Sequence, residues 1–261
     1  MQKLIDAASR RLATASRVAV LTGAGISKES GLPTFRDPET GLWARYDPMQ
    51  LATMEGFHRD PKLVWEWYEY RFGLARTAKP NPGHLAIAEL AGILPQVSVI
   101  TQNIDGLHQA AGSTDVIELH GSILRHRCLR GHTGFTWDDV TRQGAMPPHC
   151  PYCNALLRPE VVWFGEMLPQ AEIARSFALS ESCDVMLVVG TAGQVQPAAS
   201  LPFVAADAGA FVIDVNPNRD DTARAAHIFL QGPGGTVLPE LLAAVRAGQR
   251  RHVYARNEIR A

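Results

Sequence analysis

The sequence predicts an α/β fold in which a doubly wound parallel sheet carries a smaller inserted lobe. Four short β-rich runs recur along the chain, at residues 18–22, 97–101, 185–190 and 211–215. Runs that are apolar on both faces and separated by helical stretches are typical of parallel strands covered by helices. The β-runs resume after two stretches of different texture, so we interpret those stretches as insertions between strands.

Length and composition narrow the class of protein. The chain has 261 residues, of which 46% are hydrophobic, so it is long enough to bury a full core. A net charge of -1 gives no general reason to expect binding to nucleic acid or to a membrane surface. We see neither a transmembrane segment nor a secretory signal. Four clustered cysteines argue against a disulfide framework, and we therefore expect a cytoplasmic protein of open oligomeric state.

The order of the runs predicts the domain boundaries. We expect the large domain to comprise residues 1–40, 93–125 and 161–261. The smaller lobe then takes residues 41–92, which are rich in tryptophan and tyrosine, and residues 126–160, which hold three of the four cysteines. A ligand is expected in the crevice between the two parts.

The first β-run leads directly into Gly23, Ala24 and Gly25. A glycine turn of this kind lets backbone N–H groups approach a pyrophosphate, which indicates a Rossmann-like, dinucleotide-binding domain. The pattern departs from the usual fingerprint because Lys28 takes the third glycine position. No acidic residue ends a second strand about 20 residues further on either. An ordinary hydride-transfer dehydrogenase is therefore disfavoured.

Four sequence blocks resemble the sirtuin family of NAD-dependent protein-lysine deacylases. They are GAGISKESGLPTFRD (23–37), TQNIDGLH (101–108), ELHG (118–121) and GTAGQVQPAA (190–199), and they follow one another in family order. The resemblance implies that NAD is consumed as a co-substrate. Nicotinamide leaves, and the acyl group of a modified lysine passes to the ribose to give O-acyl-ADP-ribose and free lysine. It implies acyl-lysine proteins or peptides as partners.

The resemblance assigns His120 as the general base and Asn103 as a second catalytic residue. An imidazole suits this task because its ordinary pKa lies near neutrality. A buried histidine satisfied by the backbone is the alternative for His120, and an Asx-turn is the alternative for Asn103 or Asp105. The residues expected to contact NAD are Gly23, Ala24, Gly25, Phe35, Arg36, Trp43, Gln102, Asn103, Ile104, Asp105, Gly190, Thr191, Ala192, Asn216, Asn218 and Gly234.

Within this set, Phe35 is expected to shield the reactive ribose carbon and Arg36 to bind phosphate. Ala192 stands where the family often has serine, so we expect a modest change in NAD affinity. Turn chemistry is the alternative for Asn216 and Gly234.

Tyr68 and Arg71 are three residues apart, which places them on one face of a predicted helix. A phenol and a guanidinium together can clamp a carboxylate. The pair resembles that of the desuccinylase and demalonylase (class III) branch of the family, bacterial type. The resemblance also implies that the small Ala52 of this chain leaves room for a longer acyl chain. The segment expected to pair with the substrate peptide is Val162, Trp163, Phe164 and Gly165.

Several alternatives stay open for this part of the chain. Tyr68 could be a core residue, with Arg71 paired to Glu66 or Glu69 on the surface. The enzyme could be a deacetylase with no preference for acidic acyl groups. It could also sense NAD or ADP-ribose, or transfer ADP-ribose to protein.

The cysteines indicate a degenerate zinc-ribbon-like site. Sirtuins usually hold a structural zinc with two cysteine pairs, but this chain has Cys150 and Cys153 in one pair and only Cys128 in the other. His132 is the candidate fourth ligand, with His126 and His149 as alternatives. A lobe without zinc, and a zinc-ribbon binding module, remain the competing interpretations.

Overall fold

The computed structural model describes residues 1–34 and 46–258. Its helices are α1 (Gln2–Thr14), α2 (Pro48–Leu51), α3 (Met54–Arg59), α4 (Pro61–Thr77), α5 (Pro82–Ala91), α6 (Leu107–Ala110), α7 (Trp137–Thr141), α8 (Gln170–Ser182), α9 (Leu201–Asp207) and α10 (Gly234–Glu258). Its strands are β1 (Arg17–Thr22), β2 (Gln96–Thr101), β3 (Val116–Glu118), β4 (Gly121–Cys128), β5 (Phe135–Thr136), β6 (Leu157–Val161), β7 (Val185–Val189), β8 (Phe211–Asn216) and β9 (Ile228–Gln231).

Six strands form a parallel sheet in the order β3-β2-β1-β7-β8-β9. Strand β1 lies at its centre, where Val18 is in register with Val97 on one side and with Val185 on the other. All four predicted β-runs lie in this sheet, so the predicted fold class is confirmed. Strands β2 and β3 follow β1 on one side, whereas β7, β8 and β9 follow on the other. A ligand crevice is expected at the carboxyl edge between β1 and β7, where the strand order reverses.

Helices cover both faces of the parallel sheet. Helices α1, α5 and α10 pack on one face, where Leu12, Leu90 and Leu241 are almost fully buried. Helices α8 and α9 cover the opposite face, where Leu201 is buried against the strands. Burial of one such side chain stabilises the fold by about 1.5–3 kcal/mol. Burial on both faces explains why the central strands are apolar throughout.

The smaller lobe is built on an antiparallel sheet in the order β5-β4-β6. Helix α4 packs beside it through Trp65 and Trp67, which are 0% and 1% exposed. The helix begins where Asp60 accepts a hydrogen bond from the N–H of Leu63, and Pro61 occupies its first turn. The predicted inserted lobe is therefore present as a separate hydrophobic cluster.

The packing differs from the predicted boundaries in two places. Helix α5 lies within residues 41–92, yet its Ala86, Ile87 and Leu90 belong to the core beneath the parallel sheet. Strand β4 starts at Gly121 and pairs with β6, so the small sheet begins before residue 126 and ends at Val161. An apolar helical pattern shows that a face is buried but not which sheet buries it.

Among the described residues, no helix combines the length and the apolar character needed to cross a bilayer.

Candidate active site

The loops that follow β1 and β7 interlock at the carboxyl edge of the parallel sheet. The N–H of Gly25 donates to the carbonyl of Gly190 at 2.8 Å, and the N–H of Gly23 donates to that of Val189 at 3.1 Å. A Cβ at Gly25 would lie 2.7 Å from the Gly190 oxygen, and one at Gly190, where φ is +61°, would lie 2.4 Å from the nitrogen of Ile26. Only glycine fits such an approach.

This interlock changes the expected role of the glycine turn. The N–H groups of Gly23 and Gly25 were expected to approach a pyrophosphate, but both donate within the protein. The two glycines therefore serve the close packing of the loops.

The loop after β2 brings the predicted amide and carboxylate residues together. Asn103 donates from Nδ2 to the Gly23 carbonyl at 3.2 Å and to Ser27 Oγ at 3.1 Å. Ser27 in turn donates to Asp105 Oδ2 at 2.7 Å. Gln102 donates from Nε2 to Thr191 Oγ1 at 2.9 Å, which joins this loop to the end of β7. The site thus spans the ends of β1, β2 and β7.

Asp105 also makes the Asx-turn that the sequence left open, because Oδ1 accepts from the N–H of Leu107 at 2.9 Å. Burial raises the pKa of Asp105, while hydrogen bonds from Leu107 and Ser27 oppose that rise. The carbonyl of Ile104 accepts from the N–H of Ile123, which ties the loop to β4.

His120 lies in the connection between β3 and β4. Its Nδ1 is 2.9 Å from the carbonyl oxygen of Gln102. A carbonyl oxygen only accepts, so Nδ1 carries the proton and the lone pair of the neutral ring is on Nε2. Burial lowers the pKa of His120, and the hydrogen bond to Gln102 opposes this. The ring is therefore neutral near pH 7 and able to accept a proton at Nε2.

On the other side of the sheet edge, Asn216 donates from Nδ2 to the Thr191 carbonyl at 2.8 Å. A cavity of about 420 Å³ opens beside this loop, lined in part by Ala192, Gln194 and Arg219.

The remaining predicted NAD contacts lie further along the chain or outside its described part. Asn218 is exposed just beyond β8. Gly234 begins α10 at a point where a Cβ would lie 3.1 Å from a methyl carbon of Val189. The predicted Phe35, Arg36 and Trp43 lie outside the described residues.

Sequence reasoning missed a buried polar network behind the site. Thr22 Oγ1 lies 2.9 Å from His108 Nε2, and Ser27 Oγ lies 3.5 Å from His84 Nε2. The two imidazole rings are 5.0 Å apart. The available signal was local: Asn81 and His84 form a capping box at the start of α5.

These two histidines predict an acid-sensitive fold. Burial lowers the pKa of His84 to about 4, and burial together with the nearby His84 lowers that of His108 to about 3. An unfolded histidine binds its proton near pH 6.5. The contribution of these neutral histidines to the free energy of unfolding is therefore fully present above that pH, and it falls as the pH drops from about 6.5 towards 4. We expect a loss of about 2 kcal/mol per histidine between pH 7 and pH 5, measured by urea unfolding.

The variant His84→Gln removes the titration of His84. Its free energy of unfolding should depend on pH less steeply than that of the parent, by about 2 kcal/mol over the same interval. An unchanged slope in this variant would contradict the assignment.

The predicted substrate segment lies just past the end of β6. The N–H of Val162 donates to the His120 carbonyl at 3.0 Å, and that of Phe164 to the Ala52 carbonyl at 2.9 Å. Phe164 forms a single bridge with Thr53 rather than a strand of its own. These internal bonds place the segment between His120 and Ala52. Because these N–H groups are already bonded, a peptide that pairs here would bind the carbonyl groups of this segment or the N–H of Gly165.

Tyr68 is buried in the core of the small lobe, 2% exposed. Its hydroxyl oxygen accepts a hydrogen bond from Trp163 Nε1 at 2.8 Å. Burial raises the pKa of Tyr68 to about 12, and the positive charge of Arg71 works against this. The guanidinium of Arg71 lies 4.9 Å from the ring centre of Trp67. Tyr68 is thus a core residue, as one alternative held, and a neutral phenol close to a cation.

The cysteine cluster has the geometry of a four-ligand metal site. Donor atoms of Cys128, His132, Cys150 and Cys153 all lie within 4.8 Å of one another. The Cys128 and Cys153 sulfurs are 3.8 Å apart, and His132 Nδ1 lies 3.3 Å from Cys128 Sγ and 3.6 Å from Cys150 Sγ. A tetrahedral zinc site with Zn–S of about 2.3 Å requires separations of about 3.8 Å between sulfurs and about 3.5 Å between sulfur and nitrogen.

The two alternative histidines lie away from this cluster. His149 Nδ1 is 2.9 Å from the Asn154 carbonyl, and His126 is stacked on Trp65 with ring centres 5.3 Å apart. Burial acts to raise the pKa of the Cys128 thiol, but hydrogen bonds from His132 lower it to about 6 overall. A thiolate is the form that binds zinc. The residues present therefore fit zinc, with His132 in the place of a fourth cysteine.

Comparisons with known proteins agree with this site. A model of the Sir2 family matches residues 23–197. An NAD-dependent protein deacylase of Caldanaerobacter subterraneus subsp. tengcongensis is 50% identical over 224 residues, 85% of this chain and 90% of that protein. Another, from Pseudomonas aeruginosa, is 48% identical over 237 residues, 88% of this chain and 95% of that protein.

Solved structures extend the likeness to three dimensions. A Sir2 homologue in complex with NAD has a TM-score of 0.86 at 42% identity, with 95% of each chain covered. A Sir2 protein bound to a myristoylated histone peptide has a TM-score of 0.78 at 34% identity, with 96% of this chain and 100% of that chain covered.

Proposed function

Because this chain belongs to the Sir2 family of NAD-dependent protein deacylases, we propose that it preferentially removes succinyl and malonyl groups from protein lysines. The predictions of a sirtuin-type enzyme and of NAD as its co-substrate are confirmed. The identity of the acyl group and the roles of single residues are inferred from the geometry described above.

The observation that carries the proposal is the Tyr68 and Arg71 pair on α4. A phenol with a pKa of about 12 keeps its proton at neutral pH, so the Tyr68 hydroxyl is able to donate a hydrogen bond. Arg71 adds a permanent cation close by, and a carboxylate bound between the two groups receives charge-assisted hydrogen bonds. Ala52 and Tyr68 share one hydrophobic cluster with Trp163. An acidic acyl chain entering there would leave water, so its charge needs such partners.

For the chemistry, we propose that His120 accepts a proton at Nε2 from a ribose hydroxyl. When bound, NAD supplies the ribose carbon to which the acyl oxygen bonds as nicotinamide leaves. Gln102 fixes the His120 ring through its carbonyl group, and Asn103 holds the loop after β2 against Gly23. The hydrogen bond from Val162 to the His120 carbonyl keeps the substrate segment beside the base.

Acyl-lysine proteins are the proposed partners. A relative's solved structure holds a myristoylated histone peptide, so acylated peptides are bound within this family. Deacetylation without acidic preference is the second candidate. The stacking of Arg71 on Trp67 favours it, because a cation held on a ring need not enter the acyl site.

The variant Arg71→Met separates these two candidates. Methionine keeps most of the length but removes the charge, so a bound succinyl carboxylate would be left without its cation. We expect kcat/KM for a succinyl-lysine peptide to fall about 30- to 100-fold, mainly through KM, and that for the matched acetyl-lysine peptide to change less than about threefold. Peptide mass and nicotinamide release measure both.

Arg76→Met is the matched control, because Arg76 lies on the same helix and is exposed. This variant should leave kcat/KM unchanged for both peptides. Equal effects of Arg71→Met on the two peptides, or faster cleavage of the acetyl peptide by the parent enzyme, would favour the second candidate.

A further inference from the structure

Trp163 connects the proposed acyl site with the substrate segment. Its indole is 1% exposed, and its Nε1 donates to the hydroxyl oxygen of Tyr68 at 2.8 Å. An indole N–H only donates. The Tyr68 oxygen is therefore the acceptor in this bond, and the phenolic proton must point in another direction.

The hydrogen bond from Trp163 also prepares the Tyr68 hydroxyl to donate. A hydroxyl that accepts a hydrogen bond becomes a better donor, because neighbouring bonds polarise one another in a buried site. Tyr68 keeps its proton at neutral pH, as described above. Together, the two aromatic side chains present a single O–H donor with a fixed direction.

A buried ion pair holds the Trp163 indole in place. The guanidinium of Arg158 is 1% exposed, and its central carbon lies 3.3 Å from the Trp163 ring centre. Glu166 Oε2 accepts from Arg158 Nη2 at 2.9 Å and from the backbone N–H of Trp163 at 2.8 Å. A second, closer bond joins Arg158 Nη1 to Glu166 Oε1. Glu166 thus pairs with the buried cation and fixes the backbone that carries the indole, while its Oε1 also lies 3.6 Å from Arg127 Nη2.

We propose that Trp163 is a specificity-determining residue for acidic acyl groups, with Arg158 and Glu166 as its positioning residues. The proposal rests on the function proposed above. The indole N–H occupies the acceptor side of Tyr68, so that the phenolic proton is directed to the acyl carboxylate beside Arg71. A neutral acetyl group has no carboxylate and gains little from this direction.

The test is a double-mutant cycle between Trp163→Phe and Tyr68→Phe, assayed on matched succinyl- and acetyl-lysine peptides. Phenylalanine keeps an aromatic ring under Arg158 but removes the N–H. We expect Trp163→Phe to lower kcat/KM about tenfold for the succinyl peptide, mainly through KM, and about twofold for the acetyl peptide. In the Tyr68→Phe background, Trp163→Phe should lower kcat/KM by the same small factor for both peptides. The reason is that the two residues act on selectivity through one hydrogen bond.

Trp65→Phe is the matched control. Trp65 is 0% exposed in the same cluster and donates from Nε1 to the Leu157 carbonyl at 2.9 Å. The change therefore removes one buried indole hydrogen bond but leaves the hydrogen bond from Trp163 to Tyr68 in place. It should lower stability without altering the ratio of kcat/KM between the two peptides.

The outcomes separate this proposal from the one on which it rests. A parent enzyme without succinyl preference would overturn both. If the parent prefers succinyl but Trp163→Phe reduces both peptides equally, or if the double mutant shows additive effects on selectivity, only the role of Trp163 is overturned. Should Trp163→Phe fold poorly, Glu166→Gln provides a second test, because loss of the charge that holds Arg158 on the indole should lower succinyl selectivity about threefold. Unchanged selectivity there would also overturn the proposal.

Discussion

Replacement of His120 by alanine is expected to lower kcat/KM for deacylation by about 10²- to 10⁴-fold, whichever acyl group the peptide carries. The structure fixes the proton of this ring on Nδ1 through the Gln102 carbonyl, 2.9 Å away, and leaves Nε2 to accept a proton. The measurement is peptide mass with and without NAD. Circular dichroism should show that the variant is folded.

His58→Ala is a suitable control because His58 is exposed on α3, and it should retain full activity. The pH profile gives an independent check. Because burial lowers the pKa of His120, kcat/KM should rise with pH and reach half of its plateau value below pH 6.5, the ordinary histidine pKa. A profile that levels off well above pH 7, or an active His120→Ala enzyme, would be incompatible with the assigned base.

Removal of zinc is expected to unfold the small lobe. The four donors described above fit a closed tetrahedral site, and such sites contribute about 10–16 kcal/mol of binding free energy at neutral pH. We expect about one zinc per chain by elemental analysis. Treatment with a strong chelator should remove the metal and, with it, deacylase activity. Near-ultraviolet circular dichroism should follow the loss of packing around the tryptophans of α4.

Variants of His132 test its place in the site. His132→Ala should lower the zinc content and the melting temperature, because a neutral imidazole ligand is lost. His132→Cys should restore both, since it supplies a fourth thiolate at the same point of the loop. Full zinc content in His132→Ala, or protein purified without metal and fully folded, would contradict this ligand set.

The parallel sheet was predictable because its central strands are apolar on both faces, a pattern that sequence alone displays. The position of α5 was not, because Ala86, Ile87 and Leu90 would satisfy either core equally well as a pattern. The contact with α10 decides between the two, and that contact joins residues 157 positions apart.

The site shows the same division. Gln102, Asn103, Asp105 and His120 were found from short sequence blocks, and the structure brings them together. The engagement of the Gly23 and Gly25 N–H groups was missed, because their acceptors lie in the loop after β7. Three histidines near the cysteines left the fourth metal ligand open from spacing alone, and only the folded lobe places His132 beside the sulfurs.

The interlocked glycine loops constrain how this enzyme can be recombined with its relatives. A chimaera that takes residues 1–34 from one parent and residues 185–200 from another must preserve a contact in which an added Cβ at Gly190 would lie 2.4 Å from the backbone of Ile26. Crossover points that inherit both loops from the same parent should therefore give folded libraries. Crossovers that take the two loops from different parents should give folded proteins only when both parents carry glycine at positions 23, 25 and 190.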